Sequence, residues 1–375
     1  MPSDAYHCEV SPQRDLRLDA CRGIALWFVF VNHIPGNICT WLTSSRYGFS
    51  DTTEVFMFIS GVTCALAYDV VRNCDGWWAV ACHTMRRGWE IYAAFLTLIV
   101  GLVVIAYASG NDPIADDANV RIFFTQPGAA LLHAVILQYS PVNTNVLPDF
   151  VVFHLLFAPL LWLLAKSPDA TLAGSAMLYA CVQHFGWNLP QWPIHDWYFN
   201  PFAWQFLVVL GAWWVMGGRH RFRGLVTSGP VVALAALYLL FALFITMGWN
   251  IKPLEALVPA GVVKAIYPID KSDLDPLRLV HFLAIAVLVA RFVPSNWRGL
   301  SRPLLRGAIR CGENSLEIYC LSVMLSLLAH LLLIEISGGV PAQIAVSVIG
   351  VAVLIAFATL STWIGKGSRR QAKLF

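Results

Sequence analysis

Apolar residues in this chain run in long blocks, and polar residues collect between them. Ten blocks approach the ~20 mostly apolar residues that a helix needs to cross the hydrocarbon core of a bilayer. They cover residues 16–34, 52–72, 88–108, 147–165, 170–187, 201–217, 229–248, 277–293, 311–335 and 340–364. An eleventh run, 129–140, is short and carries His133. Its length fits an interfacial or re-entrant piece better than a span. The pattern predicts an all-α fold, a polytopic transmembrane helical bundle of about ten spans, in one integral-membrane domain over residues 1–375.

Lys and Arg in the short loops set the orientation of such a bundle. Arg72, Arg86 and Arg87 follow the second block, and Arg219, Arg221 and Arg223 follow the sixth. Arg291, Arg298, Arg302, Arg306 and Arg310 lie around the eighth and ninth, and Lys366, Arg369, Arg370 and Lys373 end the chain. The alternate loops 35–51, 109–128, 188–200 and 336–339 are poor in cations or acidic. The loop 249–276 is mixed, with three Lys against four acids, and the two sets alternate if 129–165 crosses once, which also demotes 129–140. This predicts N- and C-termini in the cytoplasm.

Composition narrows the class. The chain is 58% hydrophobic and 13% charged, with a mean hydropathy of +0.64. Soluble domains run at roughly 45–50% apolar and 25% charged. So few charges cannot coat a globule of this size, which argues against a water-soluble enzyme and a disordered chain. With a net charge of only +3 and no single basic face, no nucleic-acid partner is expected. Fifteen Trp and eleven Tyr suit a protein with two membrane interfaces. The nine cysteines are scattered with no metal spacing, and no metal is expected.

A charge in a spanning helix costs at least ~2.5–3.5 kcal/mol at the centre, so ionisable residues there call for a reason. The first block opens with Arg14, Asp15, Arg17, Asp19 and Arg22 and closes with Asn32 and His33. Asp19 and Arg22 share a helix face at i,i+3. Snorkelling to the interface is the plain reading of Arg14 and Arg17. His33 lies fourteen residues beyond Asp19, which puts it ~21 Å away along the axis. Glu54, at the start of the second block, reaches a similar depth. His33 and Glu54 are therefore a candidate general base and its orienting carboxylate. Alternatively, Asp51 or Thr52 caps the helix, with Glu54 in its first turn. The eighth block starts Asp275-Pro276-Leu277-Arg278, with His281 one turn on. Arg278 suits a carboxylate there, or it is an interfacial anchor on Asp275. Asp149, His154, Gln205 and Glu317 read as polar glue between helices.

The run Arg14-Asp15-Leu16-Arg17-Leu18-Asp19-Ala20-Cys21-Arg22-Gly23, closed by Asn32-His33-Ile34-Pro35-Gly36-Asn37, resembles the opening of OpgC proteins. These are membrane succinyltransferases of osmoregulated periplasmic glucans. D-x-x-R-G with a His fourteen residues after the Asp is also the mark of the wider acyltransferase-three superfamily. Phe49-Ser50-Asp51-Thr52-Thr53-Glu54-Val55-Phe56-Met57-Phe58-Ile59-Ser60-Gly61 is similar to the family's F-S-D-A-A-E-x-F-V-F-x-S-G, with Thr for both Ala. Asn200-Pro201-Phe202-Ala203-Trp204-Gln205, Asp270-Lys271-Ser272 with Leu277-Arg278 and His281-Phe282, and Gly312-Glu313-Asn314-Ser315-Leu316-Glu317 match in the same order. The resemblance covers nearly the whole chain.

The resemblance implies an O-acyltransferase of the bacterial inner membrane. Its co-substrate would be acyl-CoA, succinyl-CoA first, with no tightly bound cofactor, and its acceptor a periplasmic glucan or other glycan. On that reading His33 and Glu54 are catalytic. Arg17, Asp19 and Arg22 hold CoA at the inner mouth, and Asn32 or a backbone N–H meets the oxyanion. Arg278 takes the distal carboxylate of the succinyl group, supported by His281, with Lys271 as second choice and Asp51 beside the substrate. The rival class is a transporter or exporter of a glycan or small organic acid. That would call for repeats and interrupted midplane helices, and neither is clear in the sequence.

Overall fold

The computed structural model describes residues 15–255 and 257–372; Arg14 and Lys373 lie outside them. Among the described residues the regular elements are helices apart from one short hairpin, β1 (Pro190–Gln191) with β2 (His195–Asp196).

The helix boundaries follow capping chemistry. Asp15 caps α1 (Leu16–Asn32), accepting from the Arg17 N–H. Asp51 caps α2 (Thr52–Ser109), which ends on the left-handed Gly110. Asn111 and a Pro in the first turn start α3 (Asp112–Asp117). Short pieces follow, α4 (Ile122–Thr125) and α5 (Pro127–Val135). The nine residues of α5 are too few to cross a bilayer. Next come α6 (Val146–Leu155), α7 (Phe157–Lys166) and α8 (Pro168–Phe185). Asn200 and Pro201 open α9 (Pro201–Trp213), which runs through a π-turn into α10 (Arg219–Val226). Then come α11 (Gly229–Asn250), α12 (Lys252–Glu255) and α13 (Ala260–Ile266). Asp275 and Pro276 open α14 (Pro276–Phe292). The chain ends with α15 (Pro303–Glu313), α16 (Ser315–Glu335) and α17 (Val340–Ala372).

Among the described residues, five helical stretches are long and apolar enough to cross a membrane, or six if the bent pair α6–α7 is one span. Their outer faces carry large apolar side chains, with Leu237 65%, Val348 63% and Val104 58% exposed. Such surfaces suit lipid rather than water.

The 58 residues of α2 would make a straight rod of ~87 Å. Instead the chain doubles back at Gly76, whose φ of 83° and ψ of −179° are open only to glycine. Leu102 therefore returns to the cavity that His33 lines. Elsewhere α1 and α15 lie backbone to backbone. A Cβ on Gly23 would sit 1.8 Å from the Ala308 carbonyl oxygen, and one on Gly312 2.0 Å from that of Asp19.

These contacts define two ends of the bundle. One gathers the C-terminal ends of α1 and α16, both ends of α2, α3 and the start of α14. The other holds the start of α1, where Arg17 Nη1 donates to the Val293 carbonyl at 2.7 Å, just beyond the end of α14.

Candidate functional site

The first of these ends is built on a capping box. Asp51 Oδ1 accepts from the Thr53 N–H at 2.8 Å, and Glu54 Oε2 accepts from the Asp51 N–H at 2.9 Å. That reciprocity fixes both carboxylates before any substrate is considered. Glu54 then presents Oε1 to Arg278 Nη2 at 2.7 Å. Asp51 Oδ2 meets Lys271 Nζ at 2.6 Å and Arg278 Nη2 at 3.3 Å. Arg278 stands one turn into α14 because Asp275 caps that helix through the Leu277 N–H. Lys271 comes from the loop before it, which is pinned at Ser272. The Ser272 carbonyl accepts from Trp204 Nε1 at 2.9 Å and from the Asn200 N–H at 3.0 Å.

Two acids and two bases thus balance in a largely buried network, with Glu54 fully buried and the Arg278 side chain 10% exposed. Burial works against the charge on Asp51, but Lys271 and Arg278 outweigh it and hold the carboxyl well below its ordinary range. Burial likewise disfavours the Lys271 ammonium, and Asp51 overcomes this and raises its pKa. Both stay ionised at neutral pH. One turn beyond Arg278, His281 Nδ1 lies 2.6 Å from Ser50 Oγ. Gly48 leaves room for that ring, since a Cβ there would come 2.0 Å from His281 Nε2.

His33 caps the C-terminus of α1, its backbone N–H bonded to the Val29 carbonyl. Its Nδ1 is buried with no hydrogen-bond partner among the described residues. The ring lines a cavity of about 180 Å³ together with Asn32, Asp117, Asn143, Ser326 and His330. Lys271 and Asp51 lie within electrostatic reach of it. Asn32 Oδ1 accepts from Thr43 Oγ1 at 2.8 Å, which leaves the amide N–H₂ as its donor end.

Several expected contacts differ from this geometry. Glu54 is joined to Arg278 and to the Asp51 backbone, and no hydrogen bond links it to His33. Arg278, expected to wait for a substrate anion, is already paired with two protein carboxylates. His281 is held on Ser50 and against the Phe49 and Tyr238 rings. The more exposed cation of the network is the Lys271 ammonium, whose side chain is 30% exposed.

At the opposite end, Arg17 grips Asp15 through Nε and Nη2 at 2.9 and 2.6 Å, while Nη1 takes the Val293 carbonyl. Arg22 Nη2 donates to Thr63 Oγ1 at 2.9 Å, tying α1 to α2. Asp19 is buried at 4% exposure. The cluster stays at its own end of α1, a helix length from His33.

Sequence reasoning missed His330 and Asp117, which pair at 2.9 Å. They are 213 residues apart, so no local spacing links them. The available signal was helical. Val323, Ser326, Leu327 and His330 fall at i, i+3, i+4 and i+7, and all four line the cavity.

Residues 14–366 match a family model described as OpgC protein. No curated protein and no solved structure matches the chain.

Proposed function

The chain belongs to the OpgC family, and from that premise we propose that it is a membrane O-acyltransferase. It moves an acyl group, succinyl first, from cytosolic acyl-CoA to a hydroxyl of a periplasmic glucan. The observation that carries this reading is the imidazole of His33, which lines a cavity, has a buried Nδ1 without a partner among the described residues, and lies within electrostatic reach of the Asp51–Lys271 ion pair.

The chemistry is a single displacement. His33 takes the proton of a sugar hydroxyl, whose oxygen attacks the thioester carbon. The Asn32 amide donates to the oxyanion that forms. Collapse breaks the C–S bond, leaves the ester on the sugar, and sends the proton from His33 to the CoA thiolate. Glu54 acts as a positioning residue: it fixes Arg278, which with Lys271 fixes the Asp51 charge facing His33. Lys271 is placed against the distal carboxylate of the succinyl group, with Arg278 and His281 as the wall behind it.

Arg22 and Arg17 hold the CoA phosphates at the other end, where a phosphate competes with Asp15 for the Arg17 fork. The buried Asp19 completes that cluster. The pantetheine arm then runs the length of α1 to His33. Such a path needs the ends of α1 on opposite sides of the bacterial inner membrane. We place both termini in the cytoplasm and count ten spans, with α2 contributing two. The helices α1, α8 and α14, at 17, 18 and 17 residues, then span as well.

The test is direct. Purified protein is incubated with succinyl-CoA and a glucan, and free thiol and succinylated sugar are measured. The reading predicts both products in equal amount. Neither product with any acyl-CoA would overturn it.

A further inference from the structure

The cavity beside His33 has a second imidazole on its wall. His330 Nε2 bonds to Asp117 Oδ2 at 2.9 Å, and that carboxylate is the ring's one hydrogen-bond partner among the described residues. A carboxylate only accepts, so Nε2 carries a proton, and in the singly protonated tautomer that this bond selects Nδ1 offers its lone pair. The pair brings α16 against the end of α3. Asn32 and His33 at the end of α1, and Asn143 from the chain before α6, line the same cavity.

The lining narrows the ligand. About 180 Å³ is room for roughly six waters at ~30 Å³ each, more than one proton transfer needs. Asp117 disfavours an anion there, so the cavity does not suit the carboxylate end of an acyl donor. Polar groups on several sides exclude a hydrocarbon chain. Leu102, Val142, Val323 and Leu327 supply apolar wall between them. Hydroxyls around a ring with C–H faces match that alternation.

Resting on the acyl-transfer reading, we propose that this cavity is the acceptor subsite and takes one pyranose ring of the glucan. His330, oriented by Asp117, accepts a hydrogen bond from a hydroxyl adjacent to the one His33 deprotonates. Two imidazoles then grip neighbouring hydroxyls, and the spacing between them selects which position is acylated.

The experiment uses the full chain in detergent and glucose disaccharides that differ in linkage, titrated by calorimetry without acyl-CoA. The variants are His330→Gln, Asp117→Asn and Ala118→Leu. The last fills the cavity from a residue 6% exposed on its wall and leaves the pair intact, so it serves if His330→Gln does not fold. The wild type should bind at least one disaccharide. His330→Gln and Ala118→Leu should weaken it about ten- to a hundredfold, the size of leaving a buried hydroxyl without its hydrogen-bond partner. In turnover, the KM for sugar should rise while that for acyl-CoA holds, and the ester should spread over more than one hydroxyl. Unchanged binding in both variants, or equal loss for donor and acceptor, would overturn the subsite. Sugar binding lost in His330→Gln without any acyl transfer would sink the acyl-transfer reading and leave the subsite standing. Acyl-CoA cleavage with no sugar binding by the wild type would do the reverse.

Discussion

At the scale of residues, the difference between His33 and Arg278 is one of commitment. His33 Nδ1 has no partner among the described residues, so removing the ring breaks no hydrogen bond there. His33→Ala should lower turnover about 10²–10⁴-fold, the usual contribution of a general base, while acyl-CoA affinity measured by calorimetry stays near that of the wild type. Full turnover in that variant would end the assignment. Arg278 is the opposite case. Arg278→Met leaves the fully buried Glu54 without its cation, a loss of about 3–5 kcal/mol for a broken buried pair. It should lower the melting temperature and reduce turnover equally with succinyl-CoA and acetyl-CoA. Lys271→Met keeps Asp51 paired to Arg278 and removes the more exposed cation. It should slow succinyl transfer far more than acetyl transfer. Selectivity lost in Arg278→Met and kept in Lys271→Met would return the carboxylate to Arg278. The sequence placed His33, Asp51, Glu54 and Arg278 at one end because each lies near the end of an apolar block. It could not show who pairs with whom, since the partners of Asp51 are 220 and 227 residues away.

At the scale of elements, apolar blocks marked where helices lie and not where they stop. The sequence divides α2 at residues 73–87, where charges gather. The helix instead runs on past the apolar block to Gly76 and resumes at once, because helical hydrogen bonding does not require lipid. The block 147–165 reads as one span, yet α6 and α7 meet at 55°. Pro159 has no N–H to give the Leu155 carbonyl, so the break falls beside Leu155 and Leu156. The block 311–335 likewise hides the break at Asn314, because Cys311 and Gly312 are as apolar as a span and belong to the helix packed on α1. The turn at Gly76 yields a prediction. Its φ and ψ fall in a region that costs a non-glycine residue about 1–3 kcal/mol. Gly76→Ala should therefore lower the melting temperature of the detergent-solubilised protein. Gly110→Asn, at a left-handed cap that Asn tolerates, should leave it nearly unchanged. Equal melting temperatures for Gly76→Ala and the wild type would mean that the reversal is not made at that residue.

At the scale of the whole molecule, the proposed transfer depends on which end faces which compartment. The loops 35–51 and 109–128 carry few cations and supply Asp51 and Asp117 to the end that holds His33. The cation-rich segments after α14 meet the start of α1 through Arg17 and Val293. Since Lys and Arg favour the cytoplasmic side, the proposed orientation has the His33 end facing out. In the proposed reaction that orientation would put the sugar hydroxyl and its base on one side and the CoA phosphates on the other. The transfer then needs no movement of either substrate's polar body across the bilayer. Single cysteines in a background stripped of the nine native ones test it. Ile194, 86% exposed in the β1–β2 hairpin, stands on the His33 end, because that hairpin leads through Asn200 to Ser272. Ser295, exposed just past α14, stands on the Arg17 end. A membrane-impermeant maleimide added to intact cells should label Ile194→Cys and spare Ser295→Cys, and it should reach Ser295→Cys once the membrane is permeabilised. The inverse pattern would put His33 in the cytoplasm, where acyl-CoA and catalytic base share a compartment. The path for pantetheine along α1 would then lose its purpose.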